Sequence, residues 1–154
     1  MTDRTARVTE SSYDNRYRKT LETWKTGATV NRTTDFTYDS LDNLTAVNDS
    51  YVNAPDFSFT YDARNQVQLE SQTVPGLSRV IIDRDYNTTG QRVRTAVNIG
   101  GTVTAGAPGT GGTISGGIND LENFYSYDRL YRLASVSQGT AASGTVNSVA
   151  PKFA

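Results

Sequence analysis

Tyrosine followed by aspartate recurs along this chain at nearly constant spacing, and such a repeat restricts the fold to an array of like units. The copies are Tyr13-Asp14, Tyr38-Asp39, Tyr61-Asp62 and Tyr127-Asp128, with Tyr86-Asn87 as a variant in which Asn keeps nearly the shape of Asp. Steps of 25, 23 and 25 residues separate the first four tyrosines in chain order. The last step is 41 and contains the glycine-rich stretch from Asn98 to Gly117. Five of the nine tyrosines therefore share one register, which composition alone would rarely produce.

The residues around each copy explain what the unit is. Ahead of the pair lies an alternating segment: Phe36-Thr37-Tyr38, Phe57-Ser58-Phe59-Thr60-Tyr61 and Tyr125-Ser126-Tyr127. Aromatics two apart with Ser or Thr between them form one face of a strand. Asp or Asn then favours the opening of a type I turn, because its side chain accepts backbone N–H groups further along. The fourth residue after Tyr is Asp42, Asn65 or Gly90 in the middle copies. These types tolerate the left-handed conformation that closes a hairpin through a bulge. A second alternating segment follows, as in Leu44-Thr45-Ala46-Val47 and Val93-Arg94-Thr95-Ala96-Val97. Strand, turn and strand make a β-hairpin. The outer copies place Tyr17 and Tyr131 at the left-handed position, where a bulky residue is strained. Those turns are expected either to take another geometry or to be worn repeats.

Composition agrees with an all-β chain. Apolar residues make up 36% and are scattered rather than gathered in runs, which favours a thin sheet over a thick core. Cysteine and histidine are both absent. That removes disulfides, thiolate chemistry, the commonest general base and the commonest nitrogen ligand for metals. Fifteen basic residues against sixteen acidic ones leave a net charge of −1, so nucleic acid is not an expected partner. No stretch approaches the roughly 18 apolar residues of a membrane helix, and the polar start lacks the apolar segment of a signal peptide.

The segment Phe36-Thr37-Tyr38-Asp39-Ser40-Leu41-Asp42-Asn43-Leu44-Thr45-Ala46-Val47 resembles the RHS or YD repeat, roughly Y-x-Y-D-x-x-G-R-L-x-x-V. Phe59 to Val67, Tyr86 to Val93 and Tyr127 to Leu133 are similar, and the likeness extends over about residues 7–137. The resemblance implies a long β-ribbon that spirals into a hollow shell. Bacterial members often enclose a toxin domain, and animal relatives are cell-surface adhesion proteins. It further implies a protein that is secreted or displayed at the cell surface as part of something larger. The family's autoproteolytic core is rich in D-P-x-G, and this chain has no Asp-Pro pair, so that activity is not carried over.

Several residues invite a chemical role. A pair of carboxylates could serve a glycosidase. However, Asp14, Asp39, Asp62 and Asp128 recur at one place in each repeat, and an active site is needed once. Phe57, Phe59 and Tyr125 could offer flat rings to a glycan, against the plainer role of cross-strand packing. Asp83, Asp85 and Asn87 share a strand face and could suggest calcium, but the spacing lacks the loop that gathers six to eight oxygens. The glycines of the insertion match no phosphate-binding pattern.

The expected fold is thus a strip of consecutive antiparallel hairpins forming a curved sheet. Residues 1–97 should hold about four repeats, 98–118 a flexible glycine-rich insertion, 119–138 a fifth repeat and 139–154 a disordered tail. The expected motif set is Tyr13, Asp14, Tyr38, Asp39, Tyr61, Asp62, Tyr86, Asn87, Gly90, Tyr127 and Asp128, with no cofactor, metal or catalytic group. Expected partners are adjoining repeats or a second copy, with a glycan as the alternative.

Overall fold

The computed structural model describes residues 7–139 and 146–149. It is all-β, and the described residues contain no helix. The strands in chain order are β1 (Arg7–Tyr13), β2 (Lys19–Thr26), β3 (Thr29–Tyr38), β4 (Leu44–Asp49), β5 (Asp56–Tyr61), β6 (Val67–Thr73) and β7 (Val80–Tyr86). They are followed by β8 (Arg92–Ile99), β9 (Thr102–Ala105), β10 (Gly112–Ser115), β11 (Ile118–Tyr127), β12 (Leu133–Gly139) and β13 (Val146–Val149). Eleven of them form one sheet in the order β1-β2-β3-β4-β5-β6-β7-β8-β11-β12-β13, every pair antiparallel. Apart from β9 and β10, each strand pairs with its neighbours in sequence, as tandem hairpins require.

Each Tyr ends the first strand of a hairpin, and each hairpin carries a bulge at the same place. Tyr38 pairs with Leu44 while Thr37 pairs with Ala46, so Thr45 is the extra residue. The same slip follows Ser12, Thr60, Asp85 and Ser126. A bulge bends its strand and sharpens the twist. Five at one level bend the hairpins in the same sense.

Register sorts the side chains onto two faces. One face carries Phe36, Tyr38, Phe57, Phe59, Tyr61, Tyr86, Tyr125 and Tyr127, all half-buried. The other is small and polar, and it is where the core sits. Leu69 and Ile81 are fully buried there, joined by Thr60, Ser71, Ala96 and Asn98.

The cover over that face is the segment that composition marks as a flexible loop. Residues 98–118 instead extend β8, form the two-stranded β9–β10 hairpin, and begin β11. Because β8 and β11 pair directly, the hairpin leaves the sheet and folds back over earlier repeats. Gly111 N–H donates to the Tyr61 carbonyl at 2.7 Å, and Gly112 N–H to Gln68 Oε1 at 3.0 Å. Any side chain at 112 would meet the Thr60 methyl and Leu69 Cδ1 at 3.0 and 3.1 Å. Glycine is there to let one backbone approach another.

The tail expected over 139–154 falls mainly on residues 140–145 and 150–154, which lie outside the described residues. Val146–Val149 forms β13 against β12.

Candidate functional site

The residues singled out from the sequence come together as one structure repeated five times. Oδ1 of Asp14 accepts the backbone N–H of Arg16 and of Arg18, at 2.8 and 3.0 Å. Asp39 does the same for Leu41 and Asn43, Asp62 for Arg64 and Gln66, and Asp128 for Leu130 and Arg132. Asn87 holds Thr89 and Gln91 through its own Oδ1, so the amide does the work of the carboxylate. In every copy the Asp or Asn carbonyl also accepts the N–H three residues on.

That third residue is left-handed in all five turns: Tyr17, Asp42, Asn65, Gly90 and Tyr131 have φ of 61°, 68°, 59°, 84° and 62°. The alternative geometry expected of Tyr17 and Tyr131 is therefore not adopted. The Asp-held turn forces the conformation on whatever residue stands there. Turn hydrogen bonds outweigh a local steric cost of about 1–2 kcal/mol.

The tyrosines bind one repeat to the next. Tyr38 Oη donates to the Lys19 carbonyl, Tyr61 to Leu44, Tyr86 to Val67 and Tyr127 to Arg92, at 2.7–2.9 Å. Each acceptor is the residue six places after the preceding repeat's Tyr. A second stitch joins the turns, from the residue five places after each Tyr to the left-handed residue of the next turn. Arg18 reaches Asp42 Oδ1, Asn43 reaches Asn65 Oδ1, Gln66 reaches the Gly90 carbonyl, and Gln91 reaches the Tyr131 carbonyl. The Tyr-Asp phase foretells the turns, but not this row of stitches. Its donors are of three residue types, Arg, Asn and Gln, and share only length and an N–H group.

Charge follows the same geometry. The backbone N–H of Arg18 holds the Asp14 carboxyl below its ordinary range, and that of Arg132 does so for Asp128. At Asp39 burial pushes upward, yet the bonds from Asn43 and Leu41 prevail and lower it. Asp83 and Asp85, considered above for calcium, face Arg94, which bridges both of them and Glu122 at 2.7–3.1 Å. Burial opposes the charge on Arg94, but the bonds to Asp83 and Glu122 outweigh it and raise its pKa. Asn87 is instead committed to its turn. Among the described residues no group of three acidic, His or Cys side chains could hold a metal.

Two cavities stand out. One of about 320 Å³ lies between the sheet and the β9–β10 hairpin, lined chiefly by Gln68, Asp83, Asp85, Arg94, Asn98 and Asn119. The other, about 290 Å³ and mainly apolar, lies at the start of the sheet beside Val8, Trp24, Arg32 and Tyr51. Of the three residues considered for glycan contact, Phe57 and Phe59 are half-buried in the aromatic face, and Tyr125 has the Arg92 guanidinium 5.0 Å from its ring centre. Trp24, 43% exposed, is a more open ring that alternation alone does not mark.

No protein-family model matches this chain, and neither does any curated protein.

Proposed function

We propose that the chain is a non-catalytic wall segment of an RHS-type repeat protein, contributing sheet to a shell that encloses or displays another domain, toxin-related or at the cell surface. One observation carries the reading: the Asp or Asn has the same backbone-holding task in all five repeats, and the Tyr in the four that follow another repeat. Asp and Asn Oδ1 atoms are spent on turn N–H groups, and tyrosine hydroxyls on carbonyls of the preceding hairpin. Such an array is extended by adding units, because each unit contacts mainly its neighbours.

The test is to lengthen it. A second copy of Asp14–Tyr38, inserted after Tyr38, preserves the phase and lies before the strands that the β9–β10 hairpin covers. The lengthened chain is expected to fold, with undiminished β-signal in circular dichroism and a steeper dependence of stability on denaturant. An unfolded product would refute the modular wall. For the enclosing role, the coding sequence on either side is decisive. Further Tyr-Asp repeats leading to a D-P-x-G core and a variable domain support it, and their absence in both directions removes it.

A second reading, glycan recognition, draws on the apolar pocket of Trp24 and Tyr51, since exposed flat rings suit sugar faces. A glycan array with the native chain and with Trp24→Ala tests it. Binding lost in the variant supports recognition, and no binding by the native chain eliminates it.

A further inference from the structure

We propose that the cavity between the sheet and the β9–β10 hairpin binds a small neutral polyol. The inference goes beyond the wall reading and shares no residue with the Trp24 pocket.

Strand pairing builds the floor. Leu69, Asp83 and Ala96 lie abreast on β6, β7 and β8, as Asp85 and Arg94 do on β7 and β8, so these side chains share one face. β10 supplies the roof through Gly112 and Ile114. The volume of about 320 Å³ stands at the small end of ligand sites, which span about 300–1,000 Å³. Such a space suits a single small molecule rather than a glycan chain.

Four of the side chains lining it are each half used. Asp83 and Asp85 give Oδ2 to Arg94 Nη1, at 2.7 and 3.1 Å, and keep Oδ1. Gln68 gives Oε1 to the Gly112 N–H at 3.0 Å and keeps Nε2. Asn119 gives Oδ1 to Asn98 Nδ2 at 2.8 Å and keeps Nδ2. Among the described residues nothing bonds the four kept atoms. Asp85 and Asn119 are exposed residues. Gln68 and Asp83 are half-buried, but the buried polar atoms without a partner belong to Gln66, Arg84 and Thr95, so Nε2 and Oδ1 are open to solvent. Each side chain is thus fixed by one atom and offers the other, and little ordering remains for a ligand to impose.

Charge and donor count select the ligand. An anion would meet Asp83 and Asp85. A further cation would meet Arg94, which already bridges Asp83, Asp85 and Glu122, and would face the N–H groups of Gln68 and Asn119. Free carboxylate oxygens beside free amide N–H groups are matched by hydroxyls, which donate and accept at once. Leu69 and Ile114 offer aliphatic surface to the C–H groups of such a molecule.

Nuclear magnetic resonance of the isotopically labelled full chain, titrated with myo-inositol, D-sorbitol and D-glucose, tests this. One or more of these probes is expected to give saturable shifts at Leu69, Asp83, Asp85, Gly112 and Ile114, and none at the Trp24 indole. A polyol touching floor and roof together should also slow amide exchange in β9 and β10. Asp85→Ala and Asn119→Ala should each weaken binding about tenfold, the loss of one hydrogen bond. Both variants should fold, because Arg94 keeps Asp83 and Glu122, and Asn98 keeps the Gly116 carbonyl. Trp24→Ala should leave the affinity unchanged. Absence of saturable shifts at the cavity with every probe, or binding that both cavity variants leave intact, would overturn the assignment. Spermidine saturating the cavity where the polyols do not would overturn it too. None of these results touches the wall reading, which the lengthened chain decides.

Discussion

One carboxylate oxygen accepting two backbone N–H groups is the smallest unit on which this fold depends. Substituting Asp39→Ala leaves the N–H groups of Leu41 and Asn43 without their acceptor, and should cost about 1–2 kcal/mol in denaturant unfolding. Asp39→Asn should cost little, because Asn87 performs the same task in the fourth repeat. The two variants separate further in acid. The folded-state pKa of Asp39 is depressed, so its contribution is present above the ordinary aspartate range and is lost as pH falls through the lower folded value. Native stability should therefore fall on acidification below about pH 4, and Asp39→Asn should flatten part of that fall. The converse case is Tyr131, held left-handed at φ 62°. Glycine adopts that conformation without a steric cost, and the carbonyl that Gln91 uses is backbone. Tyr131→Gly should raise the unfolding free energy by up to about 1 kcal/mol, net of glycine's entropy in the unfolded chain. A thermal melt showing a loss would mean that the exposed ring contributes packing which outweighs its strain.

At the scale of elements, the β9–β10 hairpin matters most, because the fully buried side chains lie on the face it covers. It is fixed through Gly111 and Gly112, and Gly111 is left-handed at φ 77° with Gln68 Oε1 where a Cβ would stand. Gly111→Ala should loosen the hairpin from Tyr61 and expose amides of β9 and β10 to hydrogen exchange, while the turn at Asp62 stays protected. Leu69→Ala, beneath the same hairpin, should cost about 2–5 kcal/mol. The hairpins and their turns were legible because aromatic alternation and Asp-led turns are local signals, readable within a dozen residues. Tyr17 and Tyr131 misled, because the preference of a bulky residue pointed away from the left-handed conformation that their phase in the repeat imposes. The covering hairpin was not legible. Its strands, Thr102–Ala105 and Gly112–Ser115, hold only two large apolar side chains, Val103 and Ile114, and its docking works through backbone approach at glycine. A long-range contact made by the absence of a side chain leaves only glycine in the sequence, and glycine also writes flexible loops. The aromatic rows misdirect in a related way, since the fully buried residues lie on the opposite, plainer face.

As a whole the molecule is nearly one-dimensional. Each strand of the sheet meets the next, and in such arrays stability is approximately a sum of units and junctions. One element breaks that rule. The β9–β10 hairpin returns from the far side of β8 to bond Tyr61 and Gln68, tying the third and fourth repeats into one block. Outside that block, β1 and β2 form their own hairpin and meet β3 at a junction where Tyr38 bonds Lys19 and Arg18 reaches Asp42. Opening from the ends inward should therefore precede global unfolding. Native-state hydrogen exchange in low denaturant should give the largest opening free energies in β5 to β8, smaller ones in β3 and β4, and the smallest in β1. Tyr38→Phe deletes one junction contact, so it should lower protection of β1 and β2 by about 1 kcal/mol and leave β6 and β7 unchanged. If Tyr38→Phe lowered every strand equally, the chain would open as a single unit, and the covering hairpin would have to bind the whole strip rather than its middle.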